Sequence, residues 1–158
     1  MHERGFSVST AEMRGFVGHT GEGRTVMPGV VVRASGAQTG GSFELMEFDG
    51  APSPPPHVHR DREELFFVLE GEVDFTLGSD VTAATAGSLL FIPRGAIHGF
   101  SAAPGARLLA FVTPAGLEGF FEMLGSALAS GKTSKEIGEM ARGQYDLVPV
   151  GVPTADPH

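Results

Sequence analysis

Short apolar runs separated by turn signals fill the middle of the chain. The runs occupy residues 30–34, 42–48, 64–70, 72–77, 81–85, 88–93, 98–102 and 106–112. In the fourth run, Val73, Phe75 and Leu77 alternate with polar residues, as they do along a strand that is buried on one face. Many short strands at this spacing are typical of an all-β sandwich or barrel. We predict a β-barrel over residues 25–113, preceded by an N-terminal segment, 1–24.

The pattern changes to a helical period after Val112. Thr113 is a candidate N-cap, and Pro114 suits the first position of a helix. Thr133 and Glu136 have the spacing of a capping box at the start of a second helix. One apolar stripe is formed by Leu117, Phe120, Phe121, Leu124 and Leu128. We predict two helices within residues 114–145 that pack on the barrel, followed by an extended tail, 146–158.

The run at residues 64–70 is apolar on both faces. If Glu64, Phe66 and Val68 face the core, then Leu65, Phe67 and Leu69 face outward. A contiguous apolar surface of this kind is usually covered. Either the helix that carries Phe120 and Phe121 or a second copy of the chain could cover it, and we expect a homodimer.

Composition and charge exclude several classes of protein. The 158 residues carry a net charge of −8, which argues against nucleic acid or an anionic membrane surface as a partner. There are no cysteines, so neither a disulfide framework nor thiol chemistry is expected. No apolar run approaches the roughly 18 residues that a membrane helix needs. The first residues are too polar for a secretory signal, and we expect a cytoplasmic protein.

The candidate chemistry lies in the histidines. His57 and His59 follow three prolines, and on an extended backbone residues two apart face the same way. Glu64 joins them only if residues 60–63 form a bend, in which we expect Arg60 and Arg62 to be exposed charges and Glu63 a surface carboxylate. His98 follows a Pro-x-Gly turn at the head of another run. Three imidazoles and a carboxylate suit a transition metal.

The spacing of these residues matches two known motifs. H-x-H-x4-E-x6-G is present as His57, His59, Glu64 and Gly71, and G-x5-P-x-G-x2-H is present as Gly87, Pro93, Gly95 and His98. Together they resemble the paired motifs of the cupin superfamily. One departure is Ala102, where the second motif often has Asn. The resemblance implies a double-stranded β-helix, which is a small jelly-roll barrel, with the metal inside. It also implies that the three glycines are turn residues.

The resemblance and the side-chain directions together define the expected site. The metal ligands would be His57, His59, Glu64 and His98, and the cofactor one divalent ion of iron, manganese, nickel, cobalt, copper or zinc. By strand parity, Phe66 shares the face of Glu64 and Phe100 that of His98. We expect an apolar substrate pocket lined by Phe66, Phe100, Phe75 and Phe91.

The helix with "GLEGFF" and the ending "YDLVPVG" are similar to those of the quercetin 2,3-dioxygenase-like single-domain cupins. That resemblance implies a metal-dependent dioxygenase that cleaves a small enolic or phenolic aromatic substrate with O2. Because the chain has one tyrosine, two lysines and no cysteine, we expect Glu64 to be the catalytic residue that accepts a proton from the substrate hydroxyl. Two alternatives use the same barrel and ligands, because a fold does not determine its function. One is a non-redox metalloenzyme such as a polyketide cyclase or an isomerase. The other is a small-molecule-binding cupin without catalysis.

Overall fold

Residues 13–150 are described in a computed structural model of the protein, and the remainder of the predicted N-terminal segment and tail, 1–12 and 151–158, lies outside them. The strands are β1 Arg24–Met27, β2 Val30–Ala34, β3 Glu44–Asp49, β4 His57–Val58, β5 Glu63–Glu70, β6 Glu72–Leu77, β7 Asp80–Thr85, β8 Leu89–Ile92, β9 His98–Ala102, β10 Arg107–Thr113 and β11 Val148–Pro149. The helices are α1 Glu118–Ala129 and α2 Ser134–Ala141. The division of the chain at residues 24, 113 and 145 stays a prediction.

The strands form two antiparallel sheets. The first sheet has the order β1-β2-β3-β10-β5-β8, and the second has the order β11-β4-β9-β6-β7. Sequential hairpins such as β6–β7 combine with long-range pairs such as β3–β10, in which Glu44 lies opposite Val112. The predicted all-β fold with C-terminal helices is confirmed.

Alternating side chains of both sheets fill the space between them. In β10, Leu108, Ala110 and Val112 are buried, whereas the residues between them are partly exposed. In β6, Val73 and Phe75 are buried, as the alternation predicts. The buried residues described within 13–150 are mostly apolar, and the polar ones are Thr39, Glu44 and a group of three histidines and a glutamate.

Helix α1 begins later than the sequence predicts. Its N-cap is Leu117, which provides no side-chain hydrogen bond, and the predicted cap Thr113 is the last residue of β10. The reason is a distant carboxylate: Glu44 of β3 accepts hydrogen bonds from the backbone N–H groups of Gly116 (3.0 Å) and Leu117 (2.6 Å). These donors lie at the start of the helix, where N–H groups lack partners within the helix.

Helix α2 has the predicted capping box, in which the Thr133 side chain accepts from the Glu136 N–H and the Glu136 side chain accepts from the Thr133 N–H. Neither helix is long and apolar enough to cross a membrane, and this holds for every helix within residues 13–150.

The C-terminal helices leave one face of the first sheet uncovered. Phe121 of α1 packs against Phe48 of the core, and Phe120 packs against Tyr145. On the outer face of β5 and β8, the exposed fractions are 42% for Phe67, 62% for Leu89 and 51% for Phe91. The helix therefore does not cover the outer face of β5, which was one of the two alternatives.

The three motif glycines adopt backbone conformations that disfavour other residues. Gly71, Gly87 and Gly95 have φ angles of +77°, +90° and +79°. At Gly71, between β5 and β6, an added Cβ would also lie 2.8 Å from the Cα of Ala106. The predicted turn role of these residues is confirmed.

Candidate metal centre

The second sheet brings two of the histidines side by side. His57 in β4 is the direct antiparallel partner of His98 in β9, and their ring centroids are 4.3 Å apart. His59 lies two residues after His57 and projects to the same side, with its ring centroid 4.9 Å from that of His57. The extended chain after the prolines and its pairing with β9 thus aim all three imidazoles at one region.

Glu64 reaches the same region from the first sheet. Residues 60–62 lie outside strands and carry the chain from β4 to β5. Glu64 is the second residue of β5, opposite Ile92 on one side and Val112 on the other, so its side chain points inward. The bend that the sequence requires between His59 and Glu64 is present.

The four side chains converge into one buried cluster. One ligand atom from each of His57, His59, Glu64 and His98 lies within 4.8 Å of all the others. Glu64 Oε2 is 2.8 Å from His98 Nε2, and Oε1 is 3.5 Å from His59 Nε2. No member is more than 7% exposed.

Each of the three imidazole rings is held in a fixed orientation by a backbone carbonyl. Nδ1 of each histidine contacts a carbonyl oxygen, which requires a proton on Nδ1, so a neutral ring has its lone pair on Nε2. The acceptors for His57, His59 and His98 are Pro55, Asp146 and Ala96, respectively. This is the hydrogen-bonding arrangement that orients a metal-binding imidazole.

The cluster strongly perturbs the pKa values of its members. Burial, and then the neighbouring His98, lower the pKa of His57 to about 4. Burial alone would raise the pKa of Glu64, but the adjacent His59 and His98 outweigh it and lower that pKa to about 2. Burial alone would lower the pKa of His59, but the adjacent Glu64 carboxylate raises it. At neutral pH, His57 is therefore neutral and Glu64 is ionised.

These residues fit a divalent metal ion. Ligand atoms bonded at about 2.0–2.2 Å are separated by about 3–4.4 Å, close to the spread of this cluster. His59 Nε2 is buried without a hydrogen-bond partner, although buried polar atoms are nearly always satisfied. An ionised carboxylate among imidazoles also needs a positive charge nearby. A cation at this point would satisfy both requirements, and a site with these four ligands keeps one or two positions open.

Three of the four predicted pocket residues lie beside the cluster. Phe66, Phe75 and Phe100 are buried and in mutual contact, with ring centroids 5.5–6.3 Å apart. The prediction for Phe91 is wrong: it is 51% exposed on the outer face, and Ile92 points inward instead. Because residues 89–92 are all apolar, the pattern does not reveal which of them face the core.

Two residues near the site were not predicted. Asp146 contributes the carbonyl that holds His59, and its carboxylate lies 3.3 Å from Arg62. The Arg62 side chain is only 18% exposed, so the expectation of a free surface charge is wrong for it. Asp146 lies 87 residues after His59, and a backbone carbonyl has no sequence signature. Glu63, by contrast, has a 41% exposed side chain, as expected of a surface carboxylate.

Sequence comparison identifies a family. The profile of the family described as "Cupin domain" matches residues 44–113, which include all four residues of the cluster. The chain is also 33% identical over 86 residues to quercetin 2,3-dioxygenase of Bacillus subtilis (strain 168). That match covers 51% of this chain and 26% of the dioxygenase, so the chain spans about a quarter of the length of this relative.

Two solved structures were compared with the fold of this chain. KdgF from Halomonas sp. superposes with a TM-score of 0.51 at 20% identity, covering 63% of this chain and 91% of KdgF. The polyketide cyclase RemF from Streptomyces resistomycificus is 32% identical, with a TM-score of 0.46, and covers 54% of this chain and 63% of RemF. The likeness to KdgF, together with the two antiparallel sheets, establishes the double-stranded β-helix.

Proposed function

Because the chain belongs to the cupin superfamily, we propose that it is a metal-dependent enzyme that uses His57, His59, Glu64 and His98 as metal ligands. We further propose a quercetinase-like dioxygenase reaction, in which an enolic or phenolic aromatic substrate is cleaved with O2. The observation that carries the metal centre is the convergence of four buried ligand atoms with every Nδ1 already held by a carbonyl. The dioxygenase reaction is supported by the match to quercetin 2,3-dioxygenase.

A bound divalent metal would supply Lewis acidity to a substrate oxygen and, if redox-active, a route for electrons to O2. The protein's own contribution begins with the three Nδ1–H hydrogen bonds, which keep the imidazoles in a single tautomer. Glu64 stays ionised because its pKa is lowered to about 2. Its oxygen Oε1 has the looser contact, 3.5 Å from His59 Nε2, and is the atom we assign as acceptor of the substrate's hydroxyl proton.

The proposed substrate class follows from the surroundings of the ligands. Phe66, Phe75 and Phe100 provide an apolar aromatic wall next to the cluster, and no lysine or arginine is among the core residues described within 13–150. Such a wall favours a planar, uncharged ring system over a phosphorylated or sugar-acid substrate. The polar end of the substrate would then face Glu64 and the metal.

The first test measures the metal and the oxygen consumption on the same batch of tag-free protein. We expect about one equivalent of metal by ICP-MS, as for a site with one set of ligands. We also expect O2 uptake that depends on an added flavonol in an oxygen-electrode assay. Glu64→Gln should lose most of the metal and all O2 uptake. Glu63→Gln, which changes the neighbouring exposed carboxylate, should keep both.

Each other outcome changes the proposal in a definite way. If Glu64→Gln and His59→Ala retain full metal occupancy, the ligand assignment is wrong. Stoichiometric zinc without O2 uptake would replace the dioxygenase by the non-redox cupin enzyme, a cyclase or an isomerase. Tight binding of a flavonol without product and without metal would instead identify a binding protein.

We also propose that a second copy of the chain covers the outer face of β5 and β8. Phe91 lies opposite Leu65 and Leu89 lies opposite Phe67, so the exposed side chains form one continuous apolar patch. The helix that could have covered the patch packs elsewhere. A two-fold dimer requires only that a surface match itself, which a flat apolar sheet face does without charge complementarity.

A further inference from the structure

The segment 145–150, here called the C-terminal strap, runs alongside the first metal motif. It contains β11, in which Val148 pairs with Val58 and Pro149 pairs with His57. Beyond β11, the Val150 N–H donates to the carbonyl of Pro56 at 3.1 Å. The strap is therefore an edge strand of the sheet that carries His57.

Asp146 in the strap makes two kinds of contact with the motif. Its backbone carbonyl accepts the hydrogen bond from His59 Nδ1. Its carboxylate accepts from the backbone N–H groups of Arg60 (2.7 Å) and Asp61 (2.8 Å), and it lies 3.3 Å from the Arg62 guanidinium. The Asp146 side chain is only 8% exposed, although the two residues that donate to it lie at the surface.

His59 differs from the other two histidines in where its acceptor comes from. His57 and His98 each donate to the carbonyl of the residue two positions earlier in their own segment. Their ring orientation is therefore set locally, whenever the strand forms. The acceptor for His59 lies 87 residues away. Its orientation depends on whether the strap is held against the β4–β5 turn.

We propose that Asp146 is a positioning residue for the His59 ligand, since its carboxylate locks the strap onto residues 60 and 61 and thereby fixes the carbonyl that orients the imidazole. This inference rests on the proposed metal centre. The carbonyl selects the tautomer with the proton on Nδ1, so Nε2 stays available to the metal. The carboxylate acts one step further out, through two backbone N–H groups, and touches no ligand atom of the centre.

Cobalt(II) binding tests the proposal on the purified chain of residues 1–158. The dissociation constant is measured by competition with a chelator, and the visible absorption of the bound cobalt reports its coordination. For Asp146→Ala we expect affinity about 10–100-fold weaker, as for other partners that orient metal ligands, and an altered cobalt spectrum. Asp146→Asn keeps one acceptor oxygen, so we expect a smaller loss.

The matched control is Glu118→Ala. Glu118 also accepts from a backbone N–H, that of Gly36 at 3.2 Å, and it also pairs with an arginine, Arg24, at 3.1 Å. It lies in α1, away from the histidines. We expect this control to lower the melting temperature of the metal-free protein without changing the cobalt dissociation constant or the cobalt spectrum.

The outcomes separate this inference from the proposed function. If the unaltered chain does not bind cobalt, the metal centre itself is refuted, and the role of Asp146 with it. If the unaltered chain binds cobalt and the Asp146 variants bind it equally well, the metal centre stands and the positioning role is refuted. If Asp146→Ala does not fold, Asp146→Asn tests the positioning role instead. Weaker cobalt binding without a change in metal-free stability supports that role, and unchanged cobalt binding refutes it.

Discussion

Glu44 should be the most costly single carboxylate to remove outside the metal cluster. It is 0% exposed, and it accepts from the N–H groups of Gly116 at 3.0 Å and Leu117 at 2.6 Å. In Glu44→Ala these two donors lose their partner, and each unsatisfied buried donor costs about 1–3 kcal/mol. Part of this cost is offset because a buried charge is also removed. We therefore expect the free energy of unfolding to fall by about 2–4 kcal/mol.

Urea unfolding followed by circular dichroism measures this loss, and Glu47→Ala is the control. Glu47 lies on the same strand, but it faces outward and pairs with Arg107 at 2.6 Å, whose side chain is 31% exposed. The Glu47 side chain is 17% exposed, and its removal leaves no buried N–H group at the start of α1 unsatisfied, so this change should cost less than Glu44→Ala. If both variants lose the same amount of stability, the two hydrogen bonds from Gly116 and Leu117 to Glu44 do not make the predicted contribution to the free energy of unfolding.

The pH dependence gives a second, independent check on Glu44. Burial raises its pKa above the ordinary value of 4.5, although the N–H groups of Gly116 and Leu117 act in the opposite direction. A carboxyl group with a raised pKa in the folded state contributes stability below its ordinary pKa and loses it as pH rises through the folded value. The stability of the unaltered chain relative to Glu44→Gln should therefore decline as pH rises from below 4.5 towards neutrality. A difference that grows with pH would contradict the raised pKa.

Three further predictions concern the surface and the turns. Phe67→Glu or Phe91→Glu should convert the proposed dimer into a monomer in analytical ultracentrifugation, and an unaltered chain that is already monomeric would refute the dimer. Gly71→Ala should lower the melting temperature clearly, because φ is +77° and the added Cβ would lie 2.8 Å from Ala106 Cα; a neutral result would mean that the turn can rearrange. Thr133→Ala should lower the unfolding free energy by about 1 kcal/mol in urea titrations through loss of the capping box, and Thr133→Ser should restore it.

The sequence allowed the convergence of the four proposed ligands to be predicted because most of the requirements are local. His57 and His59 need only an extended backbone to face the same way, and three prolines before them favour one. Glu64 needs only a break in the strand, which the charged residues 60–62 indicate. The pairing of His57 with His98 is a long-range fact, but the turn glycines at fixed offsets imply it through the motif.

The sequence did not reveal the outward direction of Phe91 or the start of α1. The first depends on strand register, and the second depends on the partners of main-chain N–H groups. The run at 88–93 is apolar at successive positions, so only the pairing of Phe91 with Leu65 shows that Phe91 faces outward. The start of α1 was misplaced because Thr113-Pro114 is a good local start signal, but the N–H groups at 116 and 117 are satisfied by Glu44 on a distant strand. The tertiary contact with Glu44, and not the local capping preference of Thr113, therefore determines where the helix begins.

Glu44 and Asp146 each accept hydrogen bonds from two consecutive backbone N–H groups, but one carboxylate lies in the barrel and the other in the C-terminal strap. Glu44 belongs to the barrel and accepts two consecutive N–H groups from the segment that leads into α1. Asp146 belongs to the C-terminal strap and accepts two consecutive N–H groups from the β4–β5 turn of the barrel. Arg62 connects the two regions, since its guanidinium lies 3.3 Å from Asp146 and 3.4 Å from the carbonyl of Ala115.

These contacts tie the C-terminal region to the part of the barrel that carries His59 and Glu64. The two carboxylates fix the start of α1 and the strap relative to β3 and to the β4–β5 turn, so the helices and the ligand-bearing turn cannot shift independently. The donors at Arg60, Asp61 and Leu117 are backbone N–H groups, so substitutions of these side chains would leave the arrangement in place. Gly116 is an exception, because its φ is +145° and an added Cβ would clash with the Arg62 guanidinium. Changes at the two acceptors would disrupt it. The geometry of the proposed metal centre therefore depends on residues 114–150 as well as on the barrel, although all four proposed ligands lie within 57–98.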